Sequence, residues 1–323
     1  MHTSKFDIVT LGGMGKIPEK EPSDQEKWLL HSKCDSTIHR ALIDLAGPQT
    51  FFVDVGANIG SIICPILASG SSAVGLEPLA CNFLQLVASV NANDFDGVFL
   101  FNIAASNIES LVGMEARGPN SYVTTDGNSV IALKLDTLFR MCLGLQCKGK
   151  RLIIKVDTEG HEPEVFEGAA HVCEVHRPIV FFESIVIEGH EHRTTRMLGV
   201  KRKFAAMGYR LFQVLGSAFY ETTPEYPQFE HVSDYVAVPL EQVETLDTDY
   251  ISSKPVPMDV VAQTVKRLSD FPIKYHRMHA AGVIKCLSVD LKAYLDIPLL
   301  VDKLRGDVDP DVAASARRHF ALD

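Results

Sequence analysis

The stretch Phe51-Phe52-Val53-Asp54-Val55-Gly56-Ala57-Asn58-Ile59-Gly60 carries an apolar, strand-like run straight into a glycine-rich turn, and an apolar helix begins near Ser61. A strand, a tight turn and a helix in immediate succession make the first unit of a crossover α/β architecture, whose ligands lie beyond the carboxyl ends of the strands. Glycine lets the backbone turn sharply and approach a ligand closely, and the helix start presents unpaired amides. Leu76-Glu77-Pro78 follows. It places an acid about twenty residues on, at the end of the next strand, where a carboxylate can accept both hydrogens of a ribose diol.

Working outward, β-branched and aromatic runs recur at Ala73 to Leu76, Val98 to Ile103, Val130 to Leu133, Leu152 to Val156, Ile179 to Phe182, Tyr209 to Val214 and Tyr235 to Val238. Most are apolar throughout, as strands covered on both faces should be. Between them, Asn82 to Ala92 and Glu164 to Val175 space apolar residues three or four apart, which predicts covering helices. The class is therefore α/β with a mostly parallel sheet. Gly216 to Asp234 shows no helical period, so the last two strands are expected to be antiparallel, with the intervening loop walling a substrate site. Residues 1–48 read as an irregular arm followed by a helix from near Ser36, 49–242 as the main domain, and 243–323 as a linker with amphipathic helices at Val260 to Leu268 and Leu287 to Leu304. Those C-terminal helices suit packing on the domain or a homo-oligomer contact.

The 323-residue chain is 46% hydrophobic and 22% charged, enough to bury one large core. Its 31 Lys and Arg against 41 Asp and Glu leave a formal charge of −10, which repels a phosphate backbone, so no nucleic-acid partner is expected. The seven cysteines are scattered and never form Cys-x-x-Cys, which writes neither a zinc ribbon nor a disulfide framework. No long apolar run follows the N-terminus and no window approaches a membrane span. A cytoplasmic protein with no membrane partner is the expectation.

A glycine turn of this kind can serve packing alone, and a nicotinamide dinucleotide would also use an acid at the second strand. Dinucleotide sites call for G-x-G-x-x-G, whereas this turn reads G-x-x-x-G with Asp54 just before it. A helix start supports a pyrophosphate, while a sulfonium cofactor carries no phosphate and gains from a nearby carboxylate. Asp54 favours the cation.

Together with that turn, Gly75-Leu76-Glu77-Pro78, Leu135-Asp136-Thr137-Leu138 and Ile154-Lys155-Val156-Asp157-Thr158-Glu159-Gly160-His161-Glu162 resemble the FkbM family of methyltransferases, in the family's order and over roughly Phe51 to Leu240. The last segment, resembling K-I-D-V-E-G-x-E, is the most specific. The resemblance implies a class I methyltransferase fold, a Rossmann-like, doubly wound, seven-stranded and mostly parallel sheet, and typically O-methylation with S-adenosylmethionine. It implies that Asp54, Gly56, Asn58 and Gly60 surround the methionine part, Glu77 the ribose, and Ala104 and Ala105 the adenine.

Asp157, Glu159 and Glu162 gather at the carboxyl end of a central strand. Methyl transfer needs alignment of the acceptor and removal of its proton, so Asp157 is the first candidate base, Glu159 the second and Glu183, after Val180-Phe181-Phe182, the third. Glu183 can equally pair with a neighbouring cation. Three acids can also hold Mg²⁺ or Mn²⁺ and align a diol. Lys155 is expected to pair with the acids, Asp136 to cap its own helix, and Lys201-Arg202-Lys203 to form an exposed helix face unless it meets an anionic acceptor. Glu188 to Arg193 holds metal-ligand residue types in a stretch that fixes no tetrahedral site. The expected function is methylation of a hydroxyl on a sugar or other small molecule. A dinucleotide oxidoreductase and a scaffold without turnover stand as alternatives.

Overall fold

A computed structural model of the protein describes residues 37–115, 122–124, 128–185, 191–229, 232–245, 250–252 and 256–320. The N-terminal arm and most of Glu188 to Arg193 lie outside these residues or have undescribed side chains. The central sheet has eight strands in the spatial order β11-β10-β12-β9-β8-β1-β2-β3. These are β1 (Thr50–Val55), β2 (Ser72–Leu76), β3 (Val98–Phe101), β8 (Arg151–Val156), β9 (Ile179–Ile185), β10 (Tyr209–Leu215), β11 (Ala218–Thr222) and β12 (Val232–Pro239). The run from β3 to β9 is parallel; β12 is antiparallel to β9 and to β10, as the sequence predicts for the last two strands.

β1 is buried along its whole length, and strand alternation sorts the side chains onto two cores. Phe51, Val53, Ile154, Val180 and Phe182 belong to one face, where Val165, Phe166, Val200 and Phe204 cover them. Phe52, Ile153, Ile179 and Phe181 belong to the other, under Ile38, Leu42, Ile63 and Leu86. The covering helices on that second face are α1 (Thr37–Leu45), α2 (Ile63–Ala68) and α3 (Ala80–Ala92). Pro65 sits in the first turn of α2, where its missing amide costs no helical bond, so the helix starts late as Pro65 requires.

Several features depart from the sequence expectation. The main sheet has one strand more than seven, because β11 forms a hairpin with β10 inside the stretch expected to be loop. Val130 to Leu133 lies in a second, four-stranded sheet in the order β4-β7-β5-β6, with β4 (Ala104–Ala105), β5 (Ser110–Glu115), β6 (Tyr122–Thr124) and β7 (Asn128–Leu133). The single helix expected from Glu164 to Val175 is two, α5 (Glu162–Glu167) and α6 (Ala170–Val175). The break falls at Gly168 and Ala169, and Gly168 passes so close to the Ser106 carbonyl oxygen that a Cβ there would lie 1.9 Å from it. Asp136 does not cap its own short helix, α4 (Leu135–Leu138), whose N-cap is Lys134. Its carboxylate accepts from the His171 and Val172 amides at 3.2 and 2.9 Å, and so caps α6 instead.

The helix α7 (Glu191–Ala206) crosses the first core face, and the exposed-face reading of Lys201 fails there. Lys201 is buried with its ammonium 3.6 Å from the centre of the Tyr235 ring, while Arg202 and Lys203 are exposed. Position 201 lies four residues after the buried Met197, on the helix's apolar stripe. The C-terminal segment folds as α8 (Met258–Ser269), α9 (Lys274–Leu291), α10 (Ile297–Arg305) and α11 (Pro310–His319). The helix expected from Leu287 to Leu304 is thus split between α9 and α10. Val261, Val265, Ile284, Leu304 and Val312 build a third core that takes in Leu215 and Phe229, so this bundle rests on the β10–β11 edge. Among the described residues no helix is long and apolar enough to cross a membrane.

Asp136→Ala is expected to lower stability by about 1 kcal/mol, the usual cost of a lost N-terminal cap. The check is the midpoint of chemical denaturation, and an unchanged midpoint would mean that water serves the α6 amides equally well.

Candidate active site

Successive residues of β1 and β8 alternate faces, so Asp54 and Lys155, which are register partners, both project towards the α1 side of the sheet near its carboxyl edge. Directly beyond them the chain makes the glycine turn. Gly56 has φ +81°, and a Cβ there would stand 1.9 Å from the Asp157 carbonyl oxygen. Only glycine permits the ends of β1 and β8 to come this close. The Gly56 and Ala57 amides donate to the Leu76 carbonyl at 3.0 Å, tying the turn to the end of β2.

The turn and the following acid are built as one unit. Asn58, at φ +50°, donates its amide to Glu77 Oε2 at 2.9 Å, and the Leu79 amide donates to Oε1 at 2.9 Å. Burial pushes the Glu77 carboxyl up to about 6 against the pull of these bonds, leaving it ionised near neutral pH. Each oxygen keeps lone-pair capacity for a ligand hydroxyl. Gly60, at φ +97°, brings the turn against Leu86 and Cys64, which a Cβ would meet at 3.0 and 3.2 Å.

Lys155 is buried between two carboxylates, 3.3 Å from Asp54 Oδ1 and 3.2 Å from Asp157 Oδ2. Burial alone would lower its ammonium, but the charges of Asp157 and Asp54 outweigh burial and hold it firmly protonated. Asp54 is raised by burial, with Lys155 acting in the opposite sense. Among the described residues, neither Asp54 oxygen has a donor apart from the Lys155 ammonium, and the buried Asn58 Oδ1 has no hydrogen-bond partner. These acceptors beside a glycine turn fit the ammonium of an amino-acid moiety and the positive field of a sulfonium.

Glu162, the last acid of the motif, is structural. Its buried carboxylate accepts from the Thr158 amide (2.9 Å), the Thr158 hydroxyl (3.0 Å) and the Gly160 amide (3.1 Å), binding the loop from both sides of Glu159. Glu159 itself has φ +55° and is half-buried. Burial, then the charges of Asp157 and Glu162, push its carboxyl up to about 7. Glu183, opposite Asp234 in the β9–β12 pair, is driven up to about 10 by burial first and then by Asp157, Glu159, Glu162 and Asp234. Its Oε2 has no hydrogen-bond partner among the described residues, in keeping with a protonated carboxyl. The three candidate bases thus belong to one electrostatically coupled acidic cluster that includes Lys155. The expected Mg²⁺ or Mn²⁺ site finds no support: no group of three or more His, Cys, Asp or Glu among the described residues has a metal-holding arrangement.

Ala104 and Ala105 are buried in β4, paired with Ala132 and Leu133. Ser106, the next residue, has its hydroxyl 3.0 Å from His161 Nε2, and His161 Nδ1 lies 3.5 Å from Glu164, which pairs with Arg196. This chain of contacts ties the second sheet to the loop that carries Glu159. His39 on α1 is the residue the sequence did not indicate. The Thr37 hydroxyl donates to the Gly216 carbonyl at 2.7 Å, which anchors the start of α1 at the end of β10. His39 follows within the same turn, pushed down to about 4 by burial and by the Lys155 charge, with Asp157 opposing. It therefore presents a neutral imidazole beside the Lys155–Asp157 pair.

Gly56→Ala is expected to abolish ligand binding and to destabilise the fold by about 1–3 kcal/mol, since it combines backbone strain with a clash against backbone; a wild-type melting temperature would contradict the close approach. Glu183 binds its proton more tightly folded than unfolded, so its contribution to stability is complete at acid pH and lost as the pH climbs towards 10. Glu183→Gln, neutral throughout, should therefore melt above wild type at pH 9 by several degrees and close to it at pH 5. The same shift at both pH values would refute the assignment.

Residues 54–211 match the family described as "Methyltransferase FkbM domain". No curated protein matches the chain. Among solved structures, the methyltransferase FkbM of Methylobacillus flagellatus KT aligns at 16% identity and a TM-score of 0.39, over 59% of this chain and 44% of that one. This chain thus spans less than half of that protein's length. The precorrin-6y C5,15-methyltransferase of Geobacter metallireducens GS-15 aligns at 12% identity and a TM-score of 0.34, over 64% of this chain and 91% of that one. Magnesium protoporphyrin IX methyltransferase from Synechocystis PCC 6803, solved with bound S-adenosylmethionine, aligns at 10% identity and a TM-score of 0.36, over 70% and 86%. The glycine turn, the acid Glu77 and the acid-rich loop all fall within residues 54–211, the segment that matches the methyltransferase FkbM domain.

Proposed function

We propose that the protein binds S-adenosylmethionine at the Gly56 turn and methylates a hydroxyl of a sugar or other small molecule. The observation that carries this reading is the buried Asp54 carboxylate, beside the glycine turn, with Lys155 as its one cationic neighbour among the described residues. Asp54 and Asn58 would hold the amino-acid end of the cofactor, and Glu77, kept ionised by the Asn58 and Leu79 amides, the ribose hydroxyls. Ala104 and Ala105, buried next to Ser106, would wall the adenine. When bound, the cofactor supplies a methyl carbon already activated towards displacement.

The chain's remaining task is to align a hydroxyl and take its proton. Asp157 stands at the carboxyl edge with its side chain 40% exposed, and Lys155 holds its carboxylate at 3.2 Å. It is the first candidate to receive the proton. Glu159, on the loop locked by Glu162, is the second. Glu183, protonated by its surroundings, is better suited to donate a hydrogen bond to an acceptor oxygen than to act as a base.

Calorimetric titration with S-adenosylhomocysteine and, separately, with NAD tests the reading. Saturable binding of S-adenosylhomocysteine alone is the expected result, weakened at least tenfold by Asp54→Ala and changed little by Asp157→Asn. Binding of NAD alone, or of neither, would reject it. With an acceptor in hand, Asp157→Asn should lower kcat and leave the cofactor affinity in place.

A further inference from the structure

Lys201 is a buried cation with no part in the acidic cluster. Its ammonium stands 3.6 Å from the centre of the Tyr235 ring, and among the described residues no charged group offsets its burial, which pushes it down to about 7. Tyr235 is the register partner of Phe182, and the two rings stack with their centres 5.6 Å apart. One rung nearer the carboxyl end of β9, on the same face, the partners are Ser184 and Ser233, both buried. The Ser184 hydroxyl has no hydrogen-bond partner among the described residues. The helix α7 follows β9 and so starts at that same end of the strand. Helical side chains lean towards their own N-terminus, which carries the Lys201 stem in the direction of the serine rung.

The loop between β11 and β12 joins the two elements that carry these groups. Gln228 donates its side-chain amide to the Ser184 carbonyl at 2.7 Å, and Arg202, the residue after Lys201, donates to Glu225 at 2.9 Å. Strand, helix and loop thus meet around a buried ammonium without a counter-ion and a buried hydroxyl without a partner, among the described residues. Each is costly to bury in that state, and one kind of ligand satisfies both. An oxyanion replaces the lost solvation of the ammonium and accepts from the hydroxyl. We propose that Lys201 and Ser184 form an anion subsite for a carboxylate or phosphate carried by the methyl acceptor, an assignment that rests on the methyl-transfer reading above. Ser184 and Glu183 are neighbours on β9 that project to opposite faces, and Glu183 belongs to the acidic cluster. An acceptor lying across the end of β9 would place its anion beside the lysine and keep it away from the carboxylates that would repel it.

The test uses the full chain, with inorganic phosphate and, separately, acetate as probes at an ionic strength held constant with chloride. Melting temperature is followed against probe concentration for wild type, Lys201→Met, Lys201→Arg and Ser184→Ala, with Lys203→Met, at an exposed position, as control. Phosphate stabilises proteins in general by exclusion from their surface, and that part is common to all variants. A saturable rise beyond it is expected in wild type, Lys201→Arg and Lys203→Met. The apparent affinity should fall about tenfold or more in Lys201→Met and about threefold in Ser184→Ala. Without probe, Lys201→Met should melt at or above wild type, because methionine keeps a stem against Tyr235 and removes a buried unpaired charge. A response to phosphate alone assigns a phosphorylated acceptor, to acetate alone a carboxylated one, and to both a site that takes either oxyanion. No saturable response in wild type, or the same response in Lys201→Met, would overturn the subsite while leaving the cofactor reading intact. S-adenosylhomocysteine should bind Lys201→Met as it binds wild type. Its failure to bind wild type would reject the cofactor reading and the acceptor role of the subsite with it, whatever the anion response.

Discussion

At the end of β1 the backbone passes so close to the Asp157 carbonyl oxygen that a Cβ on Gly56 would stand 1.9 Å from it. This contact brings the turn after β1 and the acid-bearing loop after β8 together, and the site is assembled around it. It leaves no room for a side chain, so the space beyond the turn is shaped by backbone on one side and by carboxylates on the other. Because Asp54 and Lys155 are register partners on adjacent strands, the same approach sets the Asp54–Lys155–Asp157 row at the sheet edge. The ion pairs within that row are worth keeping because breaking one would leave a buried charge uncompensated. Packing of the two strands and electrostatics of the site are therefore one constraint.

What was legible in the sequence is what depends on neighbours along the chain. The run into Gly56, the acid at Glu77 and the parallel strands β1, β2, β3, β8 and β9 follow from local composition and periodicity, and the structure places them as expected. The antiparallel end of the sheet was legible too, from the lack of a crossover helix between β10 and β12. The hairpin strand β11 was not, because Ala218-Phe219-Tyr220-Glu221-Thr222 alternates polar and apolar residues weakly and sits on an edge. The second sheet escaped for a similar reason: β5 and β7 present Leu111 and Ile131 to solvent, so their apolar residues do not mark a single buried face.

Side-chain roles were less legible than positions. Glu162 was grouped with Asp157 and Glu159 as an acid at the strand end, yet its carboxylate is consumed by donors of its own loop, a capping interaction that residue type alone does not reveal. Asp136 was assigned to the helix it begins, whereas it serves the start of a helix that lies next to it only in space. Lys201 belonged to a basic triplet that looks solvated, but a helix buries positions by rotation, and its neighbours Arg202 and Lys203 face outward. His39 carried no signal at all. Its relevance arises because α1, before the first strand, lies across the carboxyl edge near Lys155, a relation that only the folded chain creates.

These corrections alter how the acids divide their work. A row of carboxylates read from sequence suggests interchangeable bases, but burial and partners separate them into distinct states. Glu162 is structural, Asp54 and Asp157 are paired with Lys155, Glu183 is protonated, and Glu159 stands near the point of ionisation. Groups of one chemical type acquire different protonation states when their surroundings differ, and that divergence is how a site obtains acid, base and electrostatic functions from one kind of side chain. Here the divergence traces back to the close passage of two strand ends. Moving them apart would admit water between the carboxylates, raise the local dielectric and draw their ionisation back towards the ordinary range. The glycine at position 56 thus governs the chemistry of acids that it does not touch.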